Sequence, residues 1–163
     1  MTTNIRLRRI AISLIGAAVI TLIAGSHSQT AGQTVSGSIA GGKAARGKQV
    51  RATVYLNLPG GLHANSNRPG SEYAIPTTVR VSASGLRIGP VNYPRGVNRK
   101  FGFSDKPINV YEGRVPFTFS VTVPAGYRSS TLNVNVTVRY QACTNEVCYS
   151  PASKQITLTA RVE

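Results

Sequence analysis

Apolar and polar residues alternate with a period of two through most of this chain, and that pattern narrows the fold more than any other feature. Val50, Ala52, Val54, Leu56 and Leu58 alternate with polar residues until Pro59-Gly60-Gly61 ends the run. Val115, Phe117, Phe119, Val121 and Val123 repeat the pattern up to Pro124-Ala125-Gly126. Leu132, Val134, Val136, Val138 and Tyr140 give the cleanest example, and Ile156, Leu158, Ala160 and Val162 close the chain. Shorter candidates lie at 77–83 and 86–91. Successive side chains of a strand point to opposite faces, so each run has one apolar face and one rich in Thr, Ser, Asn and Arg. Antiparallel sheets with one wet face require that division. No stretch beyond residue 26 carries a helical stripe.

The runs fall within residues 49–163, about 115 residues, which is enough for one core and too few for two. Six or seven strands of this kind predict an all-β fold, an immunoglobulin-like antiparallel β-sandwich.

Ahead of the strands, Arg6, Arg8 and Arg9 precede an apolar run from Ile10 to Ala24, and Ala24-Gly25-Ser26 supplies the small residues a signal peptidase reads. The run is shorter than the ~20 residues a helix needs to span hydrocarbon. Residues 1–26 therefore read as a signal peptide, and the protein as exported, with association at the membrane surface left open. Residues 27–48 are rich in Gly, Ser, Thr, Ala and Gln without an apolar period, which predicts a flexible leader. The chain carries 19 Lys and Arg against five acids; without the three signal arginines the balance is 16 against five, or +11. These cations are scattered and accompany no nucleic-acid-binding motif, so nucleic acid is not an expected partner. A solvated basic surface, or attraction to an acidic partner or the cell envelope, accounts for them.

Cys143 and Cys148 are the only cysteines, with four residues between them. In an oxidising compartment they tend to pair. A bridge across so short a loop contributes about 2 kcal/mol by chain entropy, against about 4.7 for a loop of a hundred residues. A bridge confined to one hairpin can open while the rest of the domain stays folded, which favours redox work over stapling. Placing Cys143 opposite Cys148 sets odd against even positions, yet the core residues of both flanking strands are even-numbered. A one-residue shift turns a strand's side chains to the other face. A bulge or break must therefore intervene, and Pro151, which cannot donate to a ladder, is the natural place.

The segment Val138-Arg139-Tyr140-Gln141-Ala142-Cys143, followed by Cys148-Tyr149-Ser150-Pro151, resembles the active-site segment of the N-terminal periplasmic domain of DsbD, the thiol:disulfide interchange protein. Upstream, Pro59-Gly60-Gly61-Leu62-His63-Ala64-Asn65, Tyr93-Pro94, and Lys100-Phe101-Gly102-Phe103 leading to Val110-Tyr111-Glu112-Gly113 are similar in the same order. The likeness extends over about residues 50–162. It implies a sandwich with a redox-active cysteine hairpin at one end, whose pair shuttles between dithiol and disulfide in a protein-disulfide reductase or interchange activity. Cys148 would then attack and form the mixed disulfides, and Cys143 would resolve them. It also implies a cap loop over the pair, with Phe101 or Phe103 in 98–107 as its aromatic, and thioredoxin-fold periplasmic oxidoreductases and a membrane electron donor as partners. The chain as read to Glu163 carries neither a membrane conduit nor a thioredoxin-like domain, so these partners are expected on separate chains.

Thiol–disulfide exchange needs a thiolate that reaches another protein's sulfur and a neighbouring thiol that releases the intermediate, and two cysteines on one hairpin tip satisfy both needs. Glu146 would raise a neighbouring thiol's pKa, whereas Arg139 and Lys154 would lower it if they fold near. Tyr140 and Tyr149 flank the pair as packing or functional neighbours, and His63, in an expected turn after a strand, is a further candidate neighbour. No metal site or cofactor is expected, because zinc would need further ligands beyond Cys143, Cys148 and His63, and the other histidine, His27, lies in the leader. A hydrolase is not supported, since no nucleophile–histidine–acid set or elbow motif is present. The alternative to a shuttle is an envelope binding or structural β-sandwich whose hairpin disulfide is a local clamp.

Overall fold

A computed structural model describes residues 32–163. The signal peptide expected at residues 1–26, and the start of the expected leader, lie outside these residues. In chain order the strands are β1 (Thr34–Ile39), β2 (Lys43–Ala44), β3 (Gln49–Asn57), β4 (His63–Asn65), β5 (Thr78–Ser82), β6 (Arg87–Ile88), β7 (Val97–Arg99), β8 (Ile108–Glu112), β9 (Arg114–Thr122), β10 (Thr131–Tyr140), β11 (Ala142–Cys143) and β12 (Ala152–Val162). The runs with clean alternation became the longest strands, and their even or odd apolar sets turn inward as expected. Val54, Leu56, Phe117, Val121, Leu132, Val134, Val138 and Tyr140 are fully buried. Burying an aliphatic or phenylalanine side chain of this kind contributes about 1.5–3 kcal/mol, so this shared core is the main source of the fold's stability.

Two four-stranded sheets, ordered β1-β3-β9-β6 and β2-β12-β10-β5, form the immunoglobulin-like sandwich. All their pairings are antiparallel except β2 with β12. A third sheet, β11-β4-β8-β7, sits at one end and carries the cysteines. Its strands are short, and β4 is buried at every position, so no apolar–polar alternation marks it.

The flexible leader expected at 27–48 does not hold over its described part. From Thr34 to Ile39 the chain pairs with β3 along its full length, Ile39 is completely buried, and Gln33 is 3% exposed. The physical reason lies in backbone pairing and close approach rather than in an apolar face. A Cβ at Gly37 would sit 2.5 Å from the Thr53 carbonyl oxygen and 3.1 Å from the Leu158 side chain, so only glycine lets β1 lie between β3 and β12. A 3-10 turn at Ala40–Gly42 then leads into β2.

Register also fixes which end is which. Thr34 pairs with Asn57, and Asn57 leads through Pro59-Gly60-Gly61 to His63 in the cysteine-bearing sheet. The chain thus enters the sandwich at the cysteine end. At the opposite end Glu163 donates its backbone N–H to Ala44 O at 2.9 Å and pairs with the Lys43 ammonium at 2.9 Å.

Candidate functional site

The cysteine hairpin grows out of the β10–β12 ladder. Along that ladder even positions face even ones, from Leu132 with Ala160 to Tyr140 with Ala152, whereas Cys143 faces Cys148 in an isolated bridge. Gln141 and Ala142 therefore oppose Tyr149, Ser150 and Pro151, two residues against three, and the bulge expected at Pro151 is present. Beyond it the Tyr149 N–H donates to Ala142 O at 2.9 Å, and Gln141 Nε2 donates to Tyr149 O at 3.2 Å. The tip is closed by Thr144, whose N–H donates to Val147 O at 2.8 Å while its Oγ1 accepts the N–H groups of Glu146 and Val147. The bulge also redirects the strand. β10 belongs to the sandwich, but β11 leaves it and pairs with β4, setting Ala142 against Ala64 and Cys143 against His63.

The two bonded cysteines differ in access. Cys143 is completely buried, whereas Cys148 is exposed. Among the described residues, four of the five exposed large hydrophobic side chains, Tyr73, Phe103, Val147 and Tyr149, lie in the segments around Cys148. Val147 and Tyr149 are its chain neighbours, and Tyr73 and Phe103 line with it a cleft of about 220 Å³ that Asn65 and Gln141 also face. Asn65 Nδ2 donates to Gln141 Oε1 at 3.2 Å and to Ile75 O at 3.1 Å, which fixes the polar wall. Such an apolar rim around an exposed sulfur suits a transient protein contact.

The β7–β8 hairpin carries two stacked aromatic rings. Phe101 stacks on His63 at 4.3 Å between ring centroids, and Phe103 stacks on Phe101 at 5.2 Å. Phe101 is 7% exposed and packs with Ile108 and Val110 in a small cluster separate from the main core, while Phe103 faces solvent. His63 is not in a turn: it opens β4, is 4% exposed, and pairs with Cys143 on one side and Glu112 on the other. Burial lowers its pKa from the ordinary histidine value; Glu112 opposes that shift and Arg99 adds to it. Arg99 grips Glu112 through two hydrogen bonds of 2.9 and 2.8 Å, which hold the carboxyl below its usual value.

Of the residues singled out in the sequence, Cys143, Cys148, His63, Phe101 and Phe103 come together here. Tyr149 lies beside Cys148 on the exposed arm, and Glu146 is exposed at the turn. Tyr140 instead packs in the main core, where burial pushes its phenol up and leaves the hydroxyl without a hydrogen-bond partner. Asn65, Tyr73 and the Arg99–Glu112 pair were not singled out as a site. Asn65 and Glu112 lie in segments that carry the family resemblance, whereas nothing in the sequence pointed to Arg99 or Tyr73. Among the described residues no three His, Cys, Asp or Glu side chains gather as metal ligands.

A family model described as the N-terminal part of the thiol:disulfide interchange protein DsbD matches residues 36–160. Among solved structures, the DsbD N-terminal domain of Neisseria meningitidis in its reduced form is similar at 16% identity and a TM-score of 0.45, covering 68% of this chain and 77% of that one. The N-terminal periplasmic domain of ScsB from Proteus mirabilis is similar at 13% identity and a TM-score of 0.47, covering 78% of this chain and 44% of that one. No curated protein matches the chain at a significant level.

Proposed function

The chain belongs to the family of DsbD N-terminal domains, and from that premise we propose that it is an exported thiol–disulfide exchange module passing electrons between separate redox proteins through a reversible Cys143–Cys148 bridge. The observation that carries this reading is the pairing of a buried sulfur with an exposed one at a hairpin tip ringed by apolar side chains. A donor thiolate attacks Cys148 Sγ, the accessible sulfur; the Cys143–Cys148 bond breaks and Cys143 leaves as thiolate. The donor's second thiol then attacks its own sulfur in the mixed disulfide, leaving an oxidised donor and two reduced cysteines here. Toward an acceptor the sequence reverses: the Cys148 thiolate attacks the acceptor's disulfide, and Cys143 attacks Cys148 to release it.

Membership of the family supports thioredoxin-fold periplasmic oxidoreductases and a membrane electron donor as the partners in this exchange. The rim of Tyr73, Phe103, Val147 and Tyr149 is the surface they would cover, and the Phe101–Phe103 loop guards the bridge until they do. Periplasmic export supplies the compartment in which such a bridge cycles.

The test is capture. Cys143→Ala is expected to hold a mixed disulfide with a thioredoxin-fold protein, because the attacking sulfur remains and the resolving one is gone; Cys148→Ala should hold little. The reduction potential of the pair should lie above the roughly −300 mV below which structural disulfides sit. A lower potential, with no capture by either variant, would leave the local-clamp reading in its place.

A further inference from the structure

Strands β11, β4 and β8 set Cys143, His63 and Glu112 in one cross-strand row. Directly opposed residues of antiparallel strands share a face, with Cβ atoms about 4.5–5.5 Å apart. His63 thus has the buried sulfur on one side and a carboxylate on the other. Phe101 covers one face of the imidazole at 4.3 Å. Among the described residues no hydrogen bond occupies either ring nitrogen, and the ring borders a polar cleft of about 620 Å³ shared with Arg99, Lys100, Glu112 and Asn145. Cys143 itself has no exposed surface, so bulk water has no direct access to its thiol.

Resting on the exchange reading above, we infer that His63 is the base that takes the proton of Cys143 each time the bridge re-forms, with Glu112 balancing the charge it acquires. A buried thiol is a poor nucleophile until it loses its proton, because burial in apolar surroundings disfavours the thiolate. A histidine held neutral by burial is a competent acceptor at neutral pH. The charged groups facing it are Glu112 from β8, Arg99 from β7 and Lys100 from the cap loop; the cysteine hairpin contributes the uncharged Asn145, with Glu146 next along the turn. Starting from a partner–Cys148 mixed disulfide, the Cys143 S–H gives its proton to His63 and the freed electron pair attacks Cys148 Sγ. The Cys143–Cys148 bond forms, and the partner's sulfur leaves with the electron pair of the broken bond as a thiolate. The imidazolium then returns its proton through the cleft to water or to that thiolate. Two electrons have passed from this protein's thiols to the partner.

Reduced protein mixed with an excess of an aromatic disulfide that releases a coloured thiolate separates the two steps. The first phase reports attack by Cys148 and the second reports release by Cys143. In the unsubstituted protein the second-phase rate should rise with pH through an inflection below the ordinary histidine value of 6.5 and then level off. His63→Phe, which keeps a ring against Phe101, should leave the first phase unchanged. It should slow the second about a hundredfold at neutral pH and let its rate climb through the thiol range instead. Glu112→Gln should move the inflection to lower pH, and this carries the test if His63→Phe does not fold. An unchanged second phase in His63→Phe, or an unmoved inflection in Glu112→Gln, overturns the assignment. Absence of any second phase in the unsubstituted protein overturns the exchange reading itself.

Discussion

Reducing the Cys143–Cys148 bridge should lower the melting temperature by roughly 6–12 °C while leaving one cooperative transition. The bridge spans a sequence separation of 5, so it closes a loop whose chain entropy in the unfolded state is worth about 2 kcal/mol. Nothing else in the fold depends on it. The β10–β12 ladder begins at Tyr140 with Ala152, outside the loop, and continues to Thr131 with Arg161. The pairing of Cys143 with His63 and the closure of the turn by Thr144 are backbone and hydroxyl contacts that survive reduction. A domain of this size is stable by about 5–15 kcal/mol, of which 2 is a fraction. About 3–6 °C of melting temperature per kcal/mol is the scaling for its length. Scanning calorimetry of oxidised and reduced protein at one pH measures the shift, and the Cys143→Ala/Cys148→Ala double variant removes any effect of the reductant. Loss of the cooperative transition would refute the reasoning and make the bridge a structural staple. A melting temperature that does not move would refute the loop-entropy estimate.

If the Phe101–Phe103 loop caps the bridge, replacing both rings by alanine should speed its reduction by dithiothreitol. The same change should cost about 3 kcal/mol through the loss of the Phe101–Ile108–Val110 cluster; an unchanged reduction rate would remove the cap role. The Arg99 fork keeps the Glu112 carboxyl below its usual value, so the native state binds fewer protons there than the unfolded chain. The stability from this pair is present above the unfolded carboxylate value of about 4.3 and is lost as pH falls through the lower folded value. Both side chains are well exposed, which limits the effect to under about 1 kcal/mol, and Glu112→Gln should flatten the urea-midpoint profile between about pH 6 and pH 3 by that amount. Gly37→Val should lower stability by about 1–3 kcal/mol in urea titration, because its Cβ would press on Thr53 and Leu158.

The parts of this molecule that could be read from its residues are those whose side chains record their own surroundings. Leu132 to Tyr140 and Val115 to Val123 state by alternation which face is buried. The clash of odd and even positions between Cys143–Cys148 and the core strands requires a bulge on sequence grounds alone. β1 was hidden because Thr34-Val35-Ser36-Gly37-Ser38-Ile39 has few apolar residues and owes its place to backbone pairing and a close approach only glycine permits. His63 was visible as a residue but not as a buried one. Its environment comes from Cys143, Glu112 and Phe101, which lie 80, 49 and 38 positions away in the numbering and meet only through long-range strand pairing and ring stacking. The Arg99–Glu112 fork was invisible for the same reason, since a surface ion pair leaves no periodic trace in a basic sequence.

The direction of β1 decides how this domain can be attached to anything else. Whatever precedes Gly32 is joined at the cysteine end, with the backbone at Gly32 close against Pro59. Glu163 lies at the opposite end, fastened to Ala44 and Lys43. A fusion or affinity handle on the N-terminal side would crowd the cysteine-bearing end of the sandwich. The same handle on the C-terminal side would leave that end open. A surface that holds the protein by its N-terminal side would face the cysteine hairpin, whereas immobilisation through Glu163 would point the hairpin into solution.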